Sequence, residues 1–276
     1  GVLEYHPHSE TLDDIADLAN LKAWLHKRRK VFLDRDRASD LGLPTPKGIL
    51  LLGVQGCGKS LCAKAVAQAW TLPLLKLDTS NLYNRFMGES ERNLKKAMRI
   101  AEAMAPVVLW IDEIEKAFAS SSGSESDGGV SKRMLGTFLS WLQERDKPIF
   151  VIATANDIQS LPPELIRKGR FDEIFFVDLP SKEARMEILR VHIAKRKQDA
   201  NSFDLKRLAD AGEGFSGAEL EQAVVSALYT TFEDDRPLST ETLLAEIAMT
   251  RPLSQTMSEK IDELRAWAKG RAVPAQ

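Results

Sequence analysis

Gly53-Val-Gln-Gly-Cys-Gly-Lys59-Ser60 is the stretch on which the reading of this chain turns. It places glycines at the first and sixth positions, then a lysine and a serine, which is the phosphate-binding loop pattern. Residues 47–54 before it form an apolar run, Gly48-Ile-Leu-Leu-Leu-Gly-Val, of the kind seen in strands buried on both faces. Residues 59–70 after it carry helical spacing. A strand, a glycine-rich turn and a helix in this order are the context in which the pattern binds phosphate. A chance glycine-rich turn is the alternative. In the phosphate reading, backbone N–H groups close around phosphate oxygens and the helix start adds partial positive charge. Lys59 neutralises the β and γ phosphates, and the Ser60 hydroxyl ligates Mg²⁺.

Outward from this unit, short apolar runs at 74–77, 107–111, 149–153 and 174–177 alternate with helical spacing at 91–104 and 132–143. Strands alternating with helices predict an α/β fold with a doubly wound parallel sheet. After Pro180 no strand run remains. Residues 182–195, 205–211, 218–231, 240–249 and 258–269 read as amphipathic helices. We therefore expect a large α/β domain over 1–180 and a small all-α domain over 181–276. Residues 120–129, rich in Ser and Gly, read as a loop within the first.

Two further strands end in polar groups on the edge that carries the phosphate loop. Pro106-Val-Val-Leu-Trp-Ile-Asp112-Glu113 puts Asp112 where it can hold the Mg²⁺ shell and Glu113 where it can act as base for water. Helix capping is the alternative for both acids. Ile149-Phe-Val-Ile-Ala-Thr-Ala-Asn156 ends in an amide able to position the attacking water or touch the γ phosphate, unless Asn156 only forms a turn.

Together with Leu165-Ile-Arg167-Lys-Gly-Arg170-Phe-Asp172, these segments resemble the AAA ATPases, in the branch that contains the valosin-like, spastin-like and membrane-protease motors. The likeness covers nearly the whole chain, and the Gly-Arg-Phe-Asp element is its most specific part. It implies a P-loop NTPase sheet followed by a helical lid, ATP or ADP with Mg²⁺ as ligands, and assembly into a ring, commonly a hexamer. Nucleotide contacts are then expected from Gln55, Gly56, Cys57, Gly58, Lys59, Ser60 and Leu61. In relatives the arginine element reaches across a subunit boundary into the neighbour's ATP, which makes Arg167 and Arg170 the candidates here. His192 matches a lid position near the ribose and adenine. Gly217 and Ala218 match a small pair beside the base, and Asp14 to Ala16 match the N-terminal linker that borders adenine.

The chain departs from the family in three places. Ala16 stands where Gly is usual, which puts the linker assignment in doubt. The usual Thr-Asn-Arg reads Ala155-Asn156-Asp157, with the sensor amide retained. Pro162 replaces a common Asp before the arginine element.

Arg85-Phe86-Met87-Gly88-Glu89 resembles the central-pore loop of threading motors, with Phe86 and Met87 gripping substrate side chains. Packing of this pair into the core is the alternative. Residues 120–129 fall where the second pore loop lies. The overall likeness, including Arg251-Pro-Leu-Ser254 and Leu264-Arg-Ala-Trp267, is to stand-alone AAA proteins of bacteria and algal plastid genomes. The last amphipathic helix, with Ile261, Leu264 and Trp267 on one stripe, is expected to pack on its own lid or on a neighbouring subunit.

Composition narrows the classes. With 276 residues, 43% hydrophobic and 28% charged, the chain can bury a sizeable core. A net charge of −2 gives no pull toward nucleic acid, and the basic run at 26–30 reads as a solvated helix face. This argues against a DNA-directed ring. The two cysteines, Cys57 and Cys62, are spaced so that they do not share a helix face, and a reducing compartment fits. No run is long enough to span a membrane and residues 1–10 lack signal-peptide features. A soluble protein is expected, in the cytoplasm or, for an algal source, the plastid stroma. Gly1 in place of Met points to processing or excision from a longer chain. No His-Glu-x-x-His zinc signature supports a protease. The leading expectation is a ring-forming ATPase that remodels or unfolds an unidentified protein substrate. A nucleotide-dependent assembly switch or regulatory scaffold is the alternative.

Overall fold

The computed structural model describes residues 2–80, 82, 89–118 and 129–276. The first part contains β1 (Leu3–Tyr5), α1 (Ala19–Leu33), α2 (Arg35–Asp40), β2 (Gly48–Gly53), α3 (Lys59–Trp70), β3 (Leu74–Leu77), α4 (Glu89–Met104), β4 (Val107–Ile111), α5 (Ile114–Phe118), α6 (Val130–Glu144), β5 (Ile149–Ala155) and β6 (Glu173–Val177). The rest comprises α7 (Lys182–Lys195), α8 (Leu205–Ala211), α9 (Gly217–Glu233), α10 (Thr240–Met249), α11 (Leu253–Thr256), α12 (Ser258–Ala268) and β7 (Val273–Pro274). Phe86, Met87 and residues 120–128 lie outside the described residues.

Among the described residues seven strands form one sheet, in the order β1-β3-β4-β5-β2-β6-β7. All neighbours run parallel except β1, which lies antiparallel on β3. The central strands read as unbroken apolar runs because both faces are covered. In β2, Leu50 and Leu52 face a core shared with α4, α5 and α6, whereas Ile49 and Leu51 face a core shared with α1 and α3. β5 divides in the same way, with Val151 and Ala153 on one side and Phe150 and Ile152 on the other. Phe150 meets Trp70 at a ring-centroid distance of 4.6 Å and Phe32 at 5.8 Å, an aromatic cluster that fixes α3 and α1 on the sheet.

β2 has to end in glycine. A Cβ on Gly53 would stand 2.0 Å from the Val177 carbonyl oxygen, and φ there is 152°. Only a residue without a side chain lets β2 lie against β6 and turn into the phosphate loop.

A separate core built by α7, α8, α9 and α10 contains Leu189, Ile193, Leu208, Leu220, Val224, Leu243 and Ile247. All four of these helices open with a side-chain N-cap, from Ser181, Asp204, Ser216 and Ser239. Beyond them the structure corrects two expectations. α12 does not pack on the lid core. Its Leu264 and Ala268 join the core on the Leu50 and Leu52 side of the sheet, with Trp267 packed against it. A strand does follow Pro180, because β7 pairs in parallel with β6 and the Ala275 N–H donates to the Phe176 carbonyl at 2.9 Å. Two residues at a sheet edge are too few to display strand periodicity, so this return is invisible to a pattern search. It also fixes Asp178, the residue after β6, which Arg265 of α12 grips through Nε and Nη2 at 2.9 Å.

Candidate functional site

The carboxyl ends of β2, β4 and β5 lie side by side, as an open parallel sheet requires, and a cavity of about 550 Å³ opens there between sheet and lid. Its lining contains Asp14, Ala16, Gln55, Gly56, Cys57, Gly58, Lys59, Ser60, Leu61, Asp112, Glu113, Asn156, His192, Gly217 and Ala218, together with Ile15, Asp17, Asp178, Pro180, Ile188 and Glu221. Residues from the linker, the loop, three strand ends and two lid helices therefore converge on one space.

Lys59 is only 5% exposed, and its Nζ donates to the carbonyls of Gly53 at 3.0 Å and Val54 at 2.6 Å. Burial lowers its pKa to about 8, against the pull of nearby Asp112, Glu113 and Glu115. The Ser60 hydroxyl donates to Asp112 Oδ1 at 2.8 Å. Thr154 Oγ1 donates to the same oxygen at 2.6 Å and accepts from the Glu113 N–H at 3.0 Å. The hydroxyl and carboxylate that would hold a divalent cation are thus adjacent, and Thr154 orients the carboxylate.

Glu113 has φ 50°, in the left-handed region that non-glycine residues rarely adopt. Its Oε1 accepts from Asn156 Nδ2 at 3.3 Å and its Oε2 from Lys116 Nζ at 2.7 Å. The strained backbone turns the carboxylate away from helical alignment and toward the end of β5.

Glu115, which ends no apolar run in the sequence, is 4% exposed. Its Oε1 accepts from the N–H groups of Asn156 at 2.9 Å and Asp157 at 3.2 Å, and burial raises its pKa. The Asp-Glu-x-Glu spacing was its only sequence signal.

The lid reaches the loop through main chain. The Ala218 N–H donates to the Gly56 carbonyl at 3.0 Å. Gly56 has φ 76°, and a Cβ there would meet Ala218 Cβ at 3.0 Å and Ser216 Oγ at 3.1 Å. Asp14 joins linker to lid through Lys195 Nζ at 3.0 Å. His192 Nδ1 lies 3.3 Å from Glu221 Oε1 but without hydrogen-bond alignment, so this buried nitrogen has no partner.

These features fit a nucleotide with Mg²⁺: a glycine-lined cradle, a buried cation, a hydroxyl–carboxylate pair, and an unpartnered imidazole nitrogen at the far end. Arg167 and Arg170 do not join them. Arg167 is exposed, and Arg170 donates to the Leu139 carbonyl at 3.4 Å and to the Gln143 side chain, on α6. Asp172 of the same element is structural here, accepting from the N–H groups of Lys47 and Gly48, the latter at 2.8 Å. Cys57 and Cys62 are free thiols, and burial pushes them up to about 11 and about 12.

This sheet and loop define a P-loop nucleoside triphosphatase fold, and residues 49–179 match the ATPase family associated with various cellular activities (AAA), so the chain carries an AAA domain. It is 47% identical over 268 residues to the uncharacterized AAA domain-containing protein ycf46 of Trieres chinensis, covering 97% of this chain and 53% of that protein. The ycf46 protein of Pyropia yezoensis is 46% identical over 273 residues, covering 98% of this chain and 55% of the relative. A proteasome-activating nucleotidase of Aeropyrum pernix is 42% identical over 195 residues, 69% of this chain and 47% of its own length. The chain thus spans about half the length of these relatives. Among the described residues no helix is long and apolar enough to cross a membrane.

Proposed function

We propose that this chain binds and hydrolyses ATP with Mg²⁺ and does so as a ring-forming motor, a hexamer by family likeness, that remodels a protein substrate. The observation that carries the reading is the convergence of Lys59, Ser60, Asp112, Glu113 and Asn156 on one cavity.

Ser60 and Asp112 would hold the cation. Bound Mg²⁺ would offset charge on the β and γ phosphates. Lys59 would exchange its two loop carbonyls for phosphate oxygens, and the backbone N–H groups around Gly56 and Gly58 would orient the phosphate chain. Glu113 would take the proton of a water attacking the γ phosphorus as the bond to the bridging oxygen breaks. Asn156, bonded to Glu113 Oε1, would keep that water in line. His192, Gly217, Ala218, Asp14 and Ala16 would border the nucleoside.

No arginine of the chain's own Gly-Arg-Phe-Asp element lines its cavity, which favours supply of Arg167 and Arg170 from a neighbouring subunit. Such an arginine raises rates by about 10³ to 10⁵. Phe86 and Met87 remain the proposed substrate grip.

The deciding experiment measures ATP hydrolysis per subunit against protein concentration for the parent and Arg170→Ala, with Glu113→Gln sized in the presence of ATP. Specific activity that rises with concentration, collapses in Arg170→Ala and accompanies a large ring in Glu113→Gln supports the motor. Hydrolysis independent of concentration and of Arg170 overturns the shared site and leaves a nucleotide-dependent switch.

A further inference from the structure

On the lid wall of the cavity, a carboxylate stands between two cationic or ionisable partners. Glu221 Oε1, on α9, accepts from Arg196 Nη2 at 2.9 Å, and the same oxygen lies 3.3 Å from His192 Nδ1 without the alignment of a hydrogen bond. Arg196, just past the end of α7, also donates through Nη1 to the His192 carbonyl at 3.3 Å. That second bond fixes the guanidinium on the turn that carries the imidazole. The geometry therefore gives the carboxylate oxygen to the arginine and leaves the histidine nitrogen unspent.

This choice has chemical consequences. A carboxylate free to pair with an imidazole stabilises the imidazolium, whose Nδ1–H then points at the carboxylate. A ring so engaged has no Nδ1 to offer a nucleoside. A guanidinium on that carboxylate removes the incentive to protonate and adds its own positive charge nearby.

We propose that Arg196 and Glu221 are positioning residues for nucleoside recognition: Arg196 occupies the Glu221 carboxylate so that His192 meets the adenosine portion of the nucleotide as an uncharged ring with Nδ1 free. The proposal rests on the ATP-site reading above. His192 faces Glu221 from α9, Arg196 and Lys195 from the end of α7, and Asp14 from the linker. Lys195 and Asp14 are paired with each other at 3.0 Å, so their effects on the ring largely offset. Burial is the largest influence and disfavours the charged ring; Glu221 opposes it and Arg196 acts with it.

The test follows the His192 ring signal by NMR across pH in the nucleotide-free protein. His192→Gln assigns the signal among the four histidines. In Arg196→Met the titration midpoint should move up by about one pH unit or more, because Glu221 is released to the ring. In Glu221→Gln it should move down. In the parent, ADP affinity by calorimetry should weaken only as pH falls below the midpoint read by NMR. In Arg196→Met that weakening should begin at higher pH and reach about tenfold one pH unit below the variant's own midpoint, since only the uncharged ring is competent. The double variant Arg196→Met with Glu221→Gln should shift the onset of weakening back down toward the parent's, which a merely structural role for Arg196 does not explain. A midpoint in Arg196→Met that stays or moves down overturns the proposal, whatever ADP does. Failure of the parent to bind ADP overturns the nucleotide site and this proposal with it, and is recognised as such because the ring titrations are read without nucleotide.

Discussion

The Ser60 hydroxyl lies 2.8 Å from Asp112 Oδ1, joining the first turn of α3 to the end of β4. Thr154 on β5 bonds the same oxygen, so three elements agree on where that carboxylate points. Removing the Thr154 hydroxyl leaves the two cation ligands in place, loosens their aim and takes from the Glu113 N–H its acceptor. Thr154→Val should raise the Mg²⁺ concentration needed for half-maximal ATP hydrolysis by about 10- to 100-fold, with a smaller change in the maximal rate. A Mg²⁺ titration at saturating ATP checks this, and an unchanged midpoint would show that Thr154 does not orient the site.

Lys59 is buried before any phosphate arrives, and its pKa is lowered to about 8 from 10.5. Between those values the unfolded chain binds a proton that the folded chain has released, so folded stability rises with pH across that window. Below about pH 8 both states are protonated and the cost of the buried charge is present in full. Urea unfolding of the nucleotide-free parent, taken as a difference from Lys59→Met, should therefore show the parent gaining from pH 8 to about 10.5. A flat difference would mean the ammonium is solvated. Lys59→Met should also lose nucleotide binding.

Glu115 ties the end of β5 to α5 by accepting from two backbone N–H groups, one of them that of Asn156. Glu115→Ala strips both donors of their acceptor and should cost about 1–3 kcal/mol, with ATP hydrolysis falling because Asn156 loses its anchor. Glu115→Gln keeps an acceptor oxygen and relieves the buried acid, so it should retain most of both. Thermal melts and turnover of the two variants, measured together, separate anchoring from charge.

Gly56 and Gly217 offer a paired comparison. A Cβ on Gly56 would be 3.0 Å from Ala218 Cβ at a φ of 76°, whereas on Gly217 its nearest neighbour would be the Gly56 carbonyl at 3.4 Å, an ordinary contact. Gly56→Ala should cost about 1–3 kcal/mol and lower the Tm by roughly 2–4 °C for each kcal/mol. Gly217→Ala should melt near the parent. Equal melting of the two variants would remove the argument for a close loop–lid approach.

Much of this was legible in the chain itself. Residues 48–53 announce a doubly buried strand because no polar residue interrupts them, and Gly53 to Ser60 has a pattern whose physical purpose is narrow. Asp112, Glu113 and Asn156 were readable because each ends an apolar run on the same sheet edge. Thr154 was not, since one hydroxyl inside an apolar strand looks like any β-branched residue. Glu221 and Arg196 were hidden for another reason: they are 25 positions apart and meet only through the packing of α7 against α9. β7 and the docking of α12 depend on long-range closure with no local periodicity to betray it.

The hydrogen bond from the Ala218 N–H to the Gly56 carbonyl is made of main-chain atoms alone. Loop and lid are therefore joined here by peptide groups that every amino acid but proline possesses. Natural variation cannot retune this contact through side-chain chemistry and can only crowd or relax it by size. Silencing it takes a change to the backbone itself. Proline at position 218 deletes the one N–H concerned at a first-turn helical site that accepts proline. The link between phosphate loop and lid is in that sense written in geometry rather than in side-chain chemistry.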